Sequence, residues 1–418
     1  MPAASATAEV FRRVFLAGSE SRAEGLMEEA PSVSPANTSL DVLEMLSRHP
    51  HLTGLPVVEN GRPAGLINRN LFMDEMAKPF RRDLFARKSC IAFMDKAPLI
   101  VPESLGVQEL SFLALEQGGK TLKDGFIVTD DAGIYRGIGT GEALMRAVSH
   151  LQAEKNRQVM ESINYAGIIQ KSFLKASREA LSETLRDHFL LWEPRDRVGG
   201  DCYLCRPFED GVFMALMDCT GHGVPGAFMT LIMTAFLDHV LTEPLRRDPA
   251  QVLSLVNRKV KSALGQQGDR LRQLDGSEQS DDGMDAALLW LEQGGRKLVY
   301  AGARIPLFLL GPGEAEPVTL EGDRLGVGYV DTPMDYVWTN REAAVEAGMG
   351  IYLSTDGLTD QIGGPRQIAF GKKRFAALLQ AHREFPMMIQ QARLKEAFQI
   401  YQGDQKRRDD VSVLGFRV

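Results

Sequence analysis

Cysteine is scarce in this chain of 418 residues: Cys90, Cys202, Cys205 and Cys219 are too few and too unevenly spread for a disulfide framework. Cys202 and Cys205 form a CxxC pair, yet neither a second pair nor a histidine pair completes a zinc site, so both read as small hydrophobes of a buried strand. Long apolar runs are missing as well. No stretch approaches the about 18–20 apolar residues of a membrane span. The first 17 residues contain no apolar core of secretory length. The expectation is a cytosolic protein with no membrane partner. An excess of basic residues is also lacking. With 48 Lys and Arg against 55 Asp and Glu the formal charge is −7, which argues against a nucleic-acid surface. What remains is ordinary for a globular protein, 44% hydrophobic and 25% charged, and long enough for two or three domains.

Within residues 30–148 one unit occurs twice. Residues 55–67 and 126–138 each read as an apolar strand, a polar glycine turn and a second apolar strand, followed by helical stretches at 70–76 and 141–148. Each copy is preceded by a proline, a Ser or Thr cap region and an amphipathic helix. Pro35 to Leu40 leads into Val42, Leu43 and Leu46, and Pro102-Glu103-Ser104-Leu105 leads into Val107, Leu110 and Leu113. This pattern resembles a tandem cystathionine-β-synthase (CBS) pair. The resemblance implies β-α-β-β-α units packed as a pseudo-dimer, with an adenine nucleotide as the ligand of their cleft. In place of the usual Thr or Ser with an Asp, the copies offer Asn68 and Asn70, and Thr140 and Glu142. A dimerising α/β scaffold that binds nothing is the alternative.

Residues 142–181 carry apolar positions at Leu144, Val148, Leu151, Val159, Ile163, Ala166, Ile169 and Phe173. Steps of three and four predict an amphipathic helix, or two in line with Gly167 as a joint. Its stripe suits pairing with a second chain, and a homodimer is expected. A linker packed on its own neighbouring domain is the alternative.

The remainder reads as short strands and amphipathic helices. Residues 212–218 form a buried strand, 226–242 a core helix, and 250–264 a helix opened by Asp248-Pro249. Residues 266–282 are polar and read as a mobile loop. Residues 285–291, 297–301 and 306–310 read as a meander with turns at Gln293-Gly294-Gly295 and Ala303-Arg304. A strand segment at 349–357, a helix at 373–381 and a closing strand at 411–418 complete the pattern.

Four aspartates share one local context. Asp201 follows two glycines, Asp218 ends an apolar strand, Asp356 ends another before Gly357, and Asp409-Asp410 begins the last. Carboxylates at strand ends that converge on one point select Mg²⁺ or Mn²⁺.

Val198-Gly199-Gly200-Asp201, Met217-Asp218-Cys219-Thr220-Gly221-His222-Gly223, Ser354-Thr355-Asp356-Gly357 and Asp409-Asp410-Val411-Ser412 resemble the successive motifs of metal-dependent protein phosphatases related to protein phosphatase 2C (PP2C). More narrowly they resemble the stage II sporulation protein E branch. The fold class implied is α+β: a C-terminal sandwich of two antiparallel β-sheets flanked by helices (182–418), an N-terminal α/β CBS-like pair (30–148) and a helical connector (149–181).

The resemblance further implies two Mn²⁺ or Mg²⁺ ions held by Asp201, Asp218, Asp356, Asp409 and the backbone carbonyl of Cys219, with Asp410 less defined in role. Such ions, about 3.5–4 Å apart, neutralise phosphate oxygens and activate a water. His222 is a candidate acid for the leaving oxygen, and Arg195 or Arg197 a candidate phosphate contact. The implied substrate is a phosphorylated STAS-type anti-sigma-factor antagonist protein. Where many members have Asn-Ala-Gly-His-x-Pro, this chain has Tyr300-Ala301-Gly302-Ala303-Arg304-Ile305-Pro306, which puts local substrate contacts in question. A weakly catalytic signalling scaffold and a hydrolase of small phosphoesters are the alternatives.

Overall fold

The computed structural model describes residues 22–266, 281–314 and 316–418, and most of the loop expected at 266–282 lies outside them. Internal contacts divide the chain into two units, Met1–Val159 and Met160–Val418.

In the first unit, α1 (Ser39–Arg48) starts at a capping box. The Thr38 side chain accepts from the Asp41 amide, and the Asp41 carboxylate accepts from the Thr38 amide at 2.7 Å. The hairpin β1 (Gly54–Glu59) and β2 (Arg62–Asn68) leads into α2 (Arg69–Ala77), capped by Asn68, whose side chain accepts from the Leu71 amide at 2.9 Å. The second copy repeats the order. β3 (Ile100–Pro102) is followed by α3 (Val107–Glu116), β4 (Phe126–Thr129) and β5 (Tyr135–Gly139), with β3 parallel and β5 antiparallel to β4. Ser104 does not cap α3. That position falls to Gly106, and the Ser104 hydroxyl donates to Asp131 instead. Each copy buries its own apolar cluster, Val42, Leu46, Leu55, Ile67 and Phe72 in one and Val101, Leu110, Phe126 and Leu144 in the other.

Helix α4 (Gly141–Thr184) runs unbroken for 44 residues. Gly167 is not a joint. A Cβ there would stand 3.1 Å from the Arg197 carbonyl oxygen, so the glycine brings the helix close to the backbone before Gly199. Gln170, Leu174, Ser177 and Leu181 form the buried face of this half of the helix.

The second unit is a sandwich. Strands β6 (Asp187–Glu193), β7 (Asp201–Phe208) and β8 (Gly211–Cys219) precede α5 (Gly223–Val240) and α6 (Pro249–Leu264). Then follow β9 (Met284–Glu292), β10 (Lys297–Ala303), β11 (Leu307–Leu310), β12 (Val318–Leu320), β13 (Arg341–Ala344) and β14 (Gly350–Ser354). Helices α7 (Gly371–His382) and α8 (Met387–Gln402) and strand β15 (Val411–Arg417) close it. One sheet has the order β13-β10-β9-β8-β7 and the other β12-β11-β14-β15-β6, with antiparallel neighbours throughout.

The meander expected over 285–310 does not form. β9 and β10 pair in the first sheet, but β11 lies in the second. The chain changes sheets at Arg304, whose φ of 66° is left-handed, followed two residues later by a proline. α8 went unread in the sequence although Met387, Gln390, Leu394 and Phe398 are buried at helical spacing. A polar Gln390 in that stripe weakens the apolar signal. Among the described residues α5 is the helix long and apolar enough to cross a membrane. Here Met233, Leu237 and Val240 of α5 belong to the sandwich core.

Candidate active site

The register of the first sheet places Asp201 of β7 opposite Asp218 of β8, and Asp218 opposite Asp285 of β9. Directly opposed residues share a face, so three carboxylates stand in a row across three strands, an arrangement that is destabilising on its own. The second sheet brings its strand ends to the same edge. β14 is followed by Asp356, and β15 is preceded by Asp409 and Asp410. A Cβ at Gly357 would collide with the Asp410 carbonyl, so this close crossing of two segments requires glycine.

Asp201 is 1% exposed. Its Oδ2 accepts from the Thr355 hydroxyl at 2.8 Å, and that hydroxyl accepts from the Ser412 amide at 3.0 Å. One threonine thus ties the carboxylate of the first sheet to the strands of the second. The other oxygen, Asp201 Oδ1, is buried without a hydrogen-bond partner. Asp410 is also buried and has a different role: it accepts from the Arg195 and Gly200 amides, each at 2.5 Å, and so clamps the loop that delivers Asp201. Asp409, half-buried, accepts from the Asp410 amide at 2.9 Å. Asp356 stands exposed at the rim.

The electrostatics follow from burial of like charge. Burial pushes the Asp201 carboxyl up, with Asp410 and Asp356 adding to it. Asp218 is held well above the usual carboxylate range by burial first, then by the charges of Asp201, Asp356, Asp409 and Asp285. Burial drives Asp285 to about 6 against the opposing pull of Arg304.

Asp218, Asp285 and Asp356 line a cavity of about 60 Å³ together with Arg304 and Lys372. Arg304 donates to Asp285 at 3.2 Å and lies 4.7 Å from the Tyr329 ring centroid.

The donors fit a hard divalent ion. They are carboxylate oxygens, one of them orphaned, buried and crowded with like charge that a cation would offset. Among the described residues no three His, Cys, Asp or Glu side chains form a ready-made cage.

Of the other residues singled out in the sequence, Cys219 is buried. Its carbonyl lies 2.6 Å from where a Cβ of Gly200 would stand, and its amide donates to the Gly200 carbonyl. The His222 Nδ1 lies 3.0 Å from an oxygen of the Asp196 carboxylate, and neither residue lines the carboxylate cavity. Arg195 and Arg197 line a separate cavity. Asp285, Arg304 and Thr355 were missed. A lone charge in the apolar run 284–291 was the available signal for Asp285, and the departure from the family motif at Arg304 was the other.

The two-sheet sandwich with carboxylates from both sheets at one edge, taken with the matches that follow, places the chain among the metal-dependent serine/threonine phosphatases of the PP2C type. The family pattern of Stage II sporulation protein E (SpoIIE) matches residues 209–418, and a CBS domain pattern matches residues 23–78. The SiaA-PP2C domain of Pseudomonas aeruginosa is 36% identical with a TM-score of 0.55, over 64% of this chain and 98% of that one. The chain belongs to the SpoIIE family. The PP2C phosphatase domain of SpoIIE from Bacillus subtilis is 15% identical, with a TM-score of 0.43, over 55% of this chain and 62% of that one. The RsbU and RsbW domains of Rv1364c from Mycobacterium tuberculosis are 18% identical, with a TM-score of 0.42, over 56% and 60%. No curated protein matches.

If the carboxylate row needs a cation, Asp218→Asn should raise the thermal midpoint of the metal-free protein by relieving like-charge crowding. The same change should weaken Mn²⁺ binding by at least about tenfold, read as a smaller Mn²⁺-induced rise in midpoint. An unchanged response to Mn²⁺ would remove Asp218 from the site.

Proposed function

We propose that the protein is a cytoplasmic Mn²⁺- or Mg²⁺-dependent phosphatase acting on phosphoserine or phosphothreonine of a signalling protein, a STAS-type anti-sigma-factor antagonist. In this reading Asp201, Asp218, Asp356 and Asp409, with the Cys219 carbonyl, hold two ions. The observation that carries it is the row Asp201–Asp218 faced by Asp356 beside a small cavity that also presents Arg304 and Lys372. When bound, the ions neutralise phosphate charge and provide a nucleophile near neutral pH.

The chain's own residues supply the rest. Thr355 and Asp410 fix the position of Asp201, so little reorganisation is needed when substrate arrives. In this reading Arg304, held over Tyr329, takes a phosphate oxygen, a role for which the sequence offered Arg195 or Arg197 as candidates. His222, hydrogen-bonded to Asp196, remains a candidate acid at the turn before α5. The carboxylate cavity is small, about 60 Å³, which is in keeping with a protein substrate that docks outside it and presents only its phosphoryl group.

The CBS-like unit is proposed as the regulatory module, with an adenine nucleotide as its ligand. In it Asn68 and Thr140 are engaged as caps of α2 and α4. The outer face of α4 is proposed as a homodimer surface. Tyr165 at 66% exposure, Ile168 at 62% and Phe173 at 43% are apolar side chains that a partner helix would cover.

Asp356→Asn should cut metal-dependent phosphate release by at least about 100-fold with circular dichroism unchanged, and the phosphoprotein should turn over far faster than free phosphoserine. Equal rates on both substrates would favour the small-phosphoester reading. Arg304→Ala should lower kcat/KM by roughly tenfold or more, about 1.4 kcal/mol. Wild-type kinetics there would take Arg304 out of substrate binding. For the dimer, Ile168→Asp with Phe173→Asp should halve the mass found by light scattering; a wild-type mass would exclude this face.

A further inference from the structure

A second cavity, of about 770 Å³, lies at the edge of the sandwich between α4 and the segment joining β6 to β7. These are the edge strands of the two sheets, so the cavity opens where neither sheet continues. Its size falls within the range of about 300–1,000 Å³ typical of small-molecule sites.

Six cationic side chains line it: Lys171, Lys175, Arg178, Arg195, Arg197 and Arg407. Two acids do so as well, and one of them neutralises a lining cation. Glu193 pairs with Lys395 at 2.6 Å as well as with Arg407 at 3.2 Å, and Asp196 meets His222. Lys171 and Arg197 have no hydrogen-bond or ion-pair partner among the described residues. A concave surface with this surplus of fixed positive charge concentrates anions. It also has an aromatic side chain on its wall, the partly exposed Trp192, backed by the buried Tyr203 ring 6.5 Å away in an edge-on arrangement. Cations beside aromatic rings suit a ligand that carries both phosphates and a flat base.

We propose that this cavity binds a nucleoside di- or triphosphate and is an effector site distinct from the carboxylate cavity. Its wall is bonded directly to the catalytic edge. The Trp192 indole N–H donates to the Asp201 carbonyl at 2.9 Å. The Arg195 amide donates to Asp410 at 2.5 Å, and its guanidinium donates to the Arg408 carbonyl at 3.1 Å. From the helix, Gln170 donates to the Gly199 carbonyl at 2.7 Å and accepts from the Gly199 amide at 3.2 Å. A ligand that draws in Trp192, Arg195 or α4 therefore shifts the loop carrying Asp201, and the effector acts by repositioning that carboxylate.

The test is isothermal titration of the full chain with ATP, GTP, tripolyphosphate and inorganic phosphate, at fixed ionic strength and with EDTA present. Divalent ions then play no part, and the readout does not depend on catalysis. A nucleoside triphosphate should bind this cavity more tightly than tripolyphosphate, as a site additional to any ATP taken up by the CBS-like unit. Lys171→Gln with Lys175→Gln, both on the solvent side of α4, should weaken it at least tenfold without changing the unfolding midpoint. A double variant that loses none of the nucleotide sites seen in the wild type would overturn the proposal, whereas loss of one site with another retained would assign the retained one to the CBS-like unit. Binding no tighter than millimolar for every probe would also overturn the proposal. Tripolyphosphate binding as tightly as the nucleotides would overturn the nucleotide class.

Discussion

Three aspartates side by side on adjacent strands, Asp201, Asp218 and Asp285, make an arrangement a β-sheet does not adopt for its own sake. Opposed like charges at partly buried positions cost stability, and an unpartnered oxygen such as Asp201 Oδ1 adds to the cost. The second sheet adds Asp356 and Asp409 to the same edge, so the folded chain concentrates negative charge there. A bound divalent cation reverses the sign of that interaction and turns the crowding into affinity. The architecture around the site is best understood as what keeps these carboxylates together against their repulsion.

Three supports do so, each from a different part of the chain. Thr355 bridges the two sheets through the Asp201 carboxylate and the Ser412 amide. Asp410 takes two backbone amides of the loop before β7. Gln170 of α4 holds Gly199 by both its amide and its carbonyl. The last support belongs to the helix that also leaves the CBS-like unit, and it gives α4 a direct grip on the loop that carries a site carboxylate. Any signal that changes the seat of α4 has a short covalent and hydrogen-bonded route to Asp201.

The change of sheet at Arg304 has a second consequence. A left-handed residue between β10 and β11 redirects the chain across the sandwich and projects a guanidinium to the carboxylate cavity. Strained backbone at such a position is tolerated where its surroundings over-determine it. Here the Arg304 amide donates to the Asp323 carbonyl, and the side chain is held between Asp285 and the Tyr329 ring. The departure from the family motif is therefore an alternative cation at the rim of the site, built into the same turn.

Much of this was legible in the residues alone. Apolar strands ending in Asp, the repeated strand-turn-strand unit and the long helical periodicity of 142–181 are local patterns, and local patterns survive without knowledge of the fold. The motif resemblance singled out Asp201, Asp218, Asp356 and Asp409 by their order along the chain, and the fold brings their strand ends to one edge. Register and sheet membership were not legible, since nothing within β10 or β11 states that they belong to different sheets. Asp285 reaches the site only through its pairing with Asp218, and Arg304 only through a backbone turn. Gly167 resembled a hinge in sequence and serves instead as a point of close approach, because a missing side chain has the same local signature in both roles. Arg195 likewise stood close to Asp201 in sequence, yet it faces a different cavity across an edge that only the pairing of strands creates. Chain-local chemistry thus determined which carboxylates are candidates, while tertiary structure decided which of them meet, because meeting depends on contacts between segments far apart in sequence.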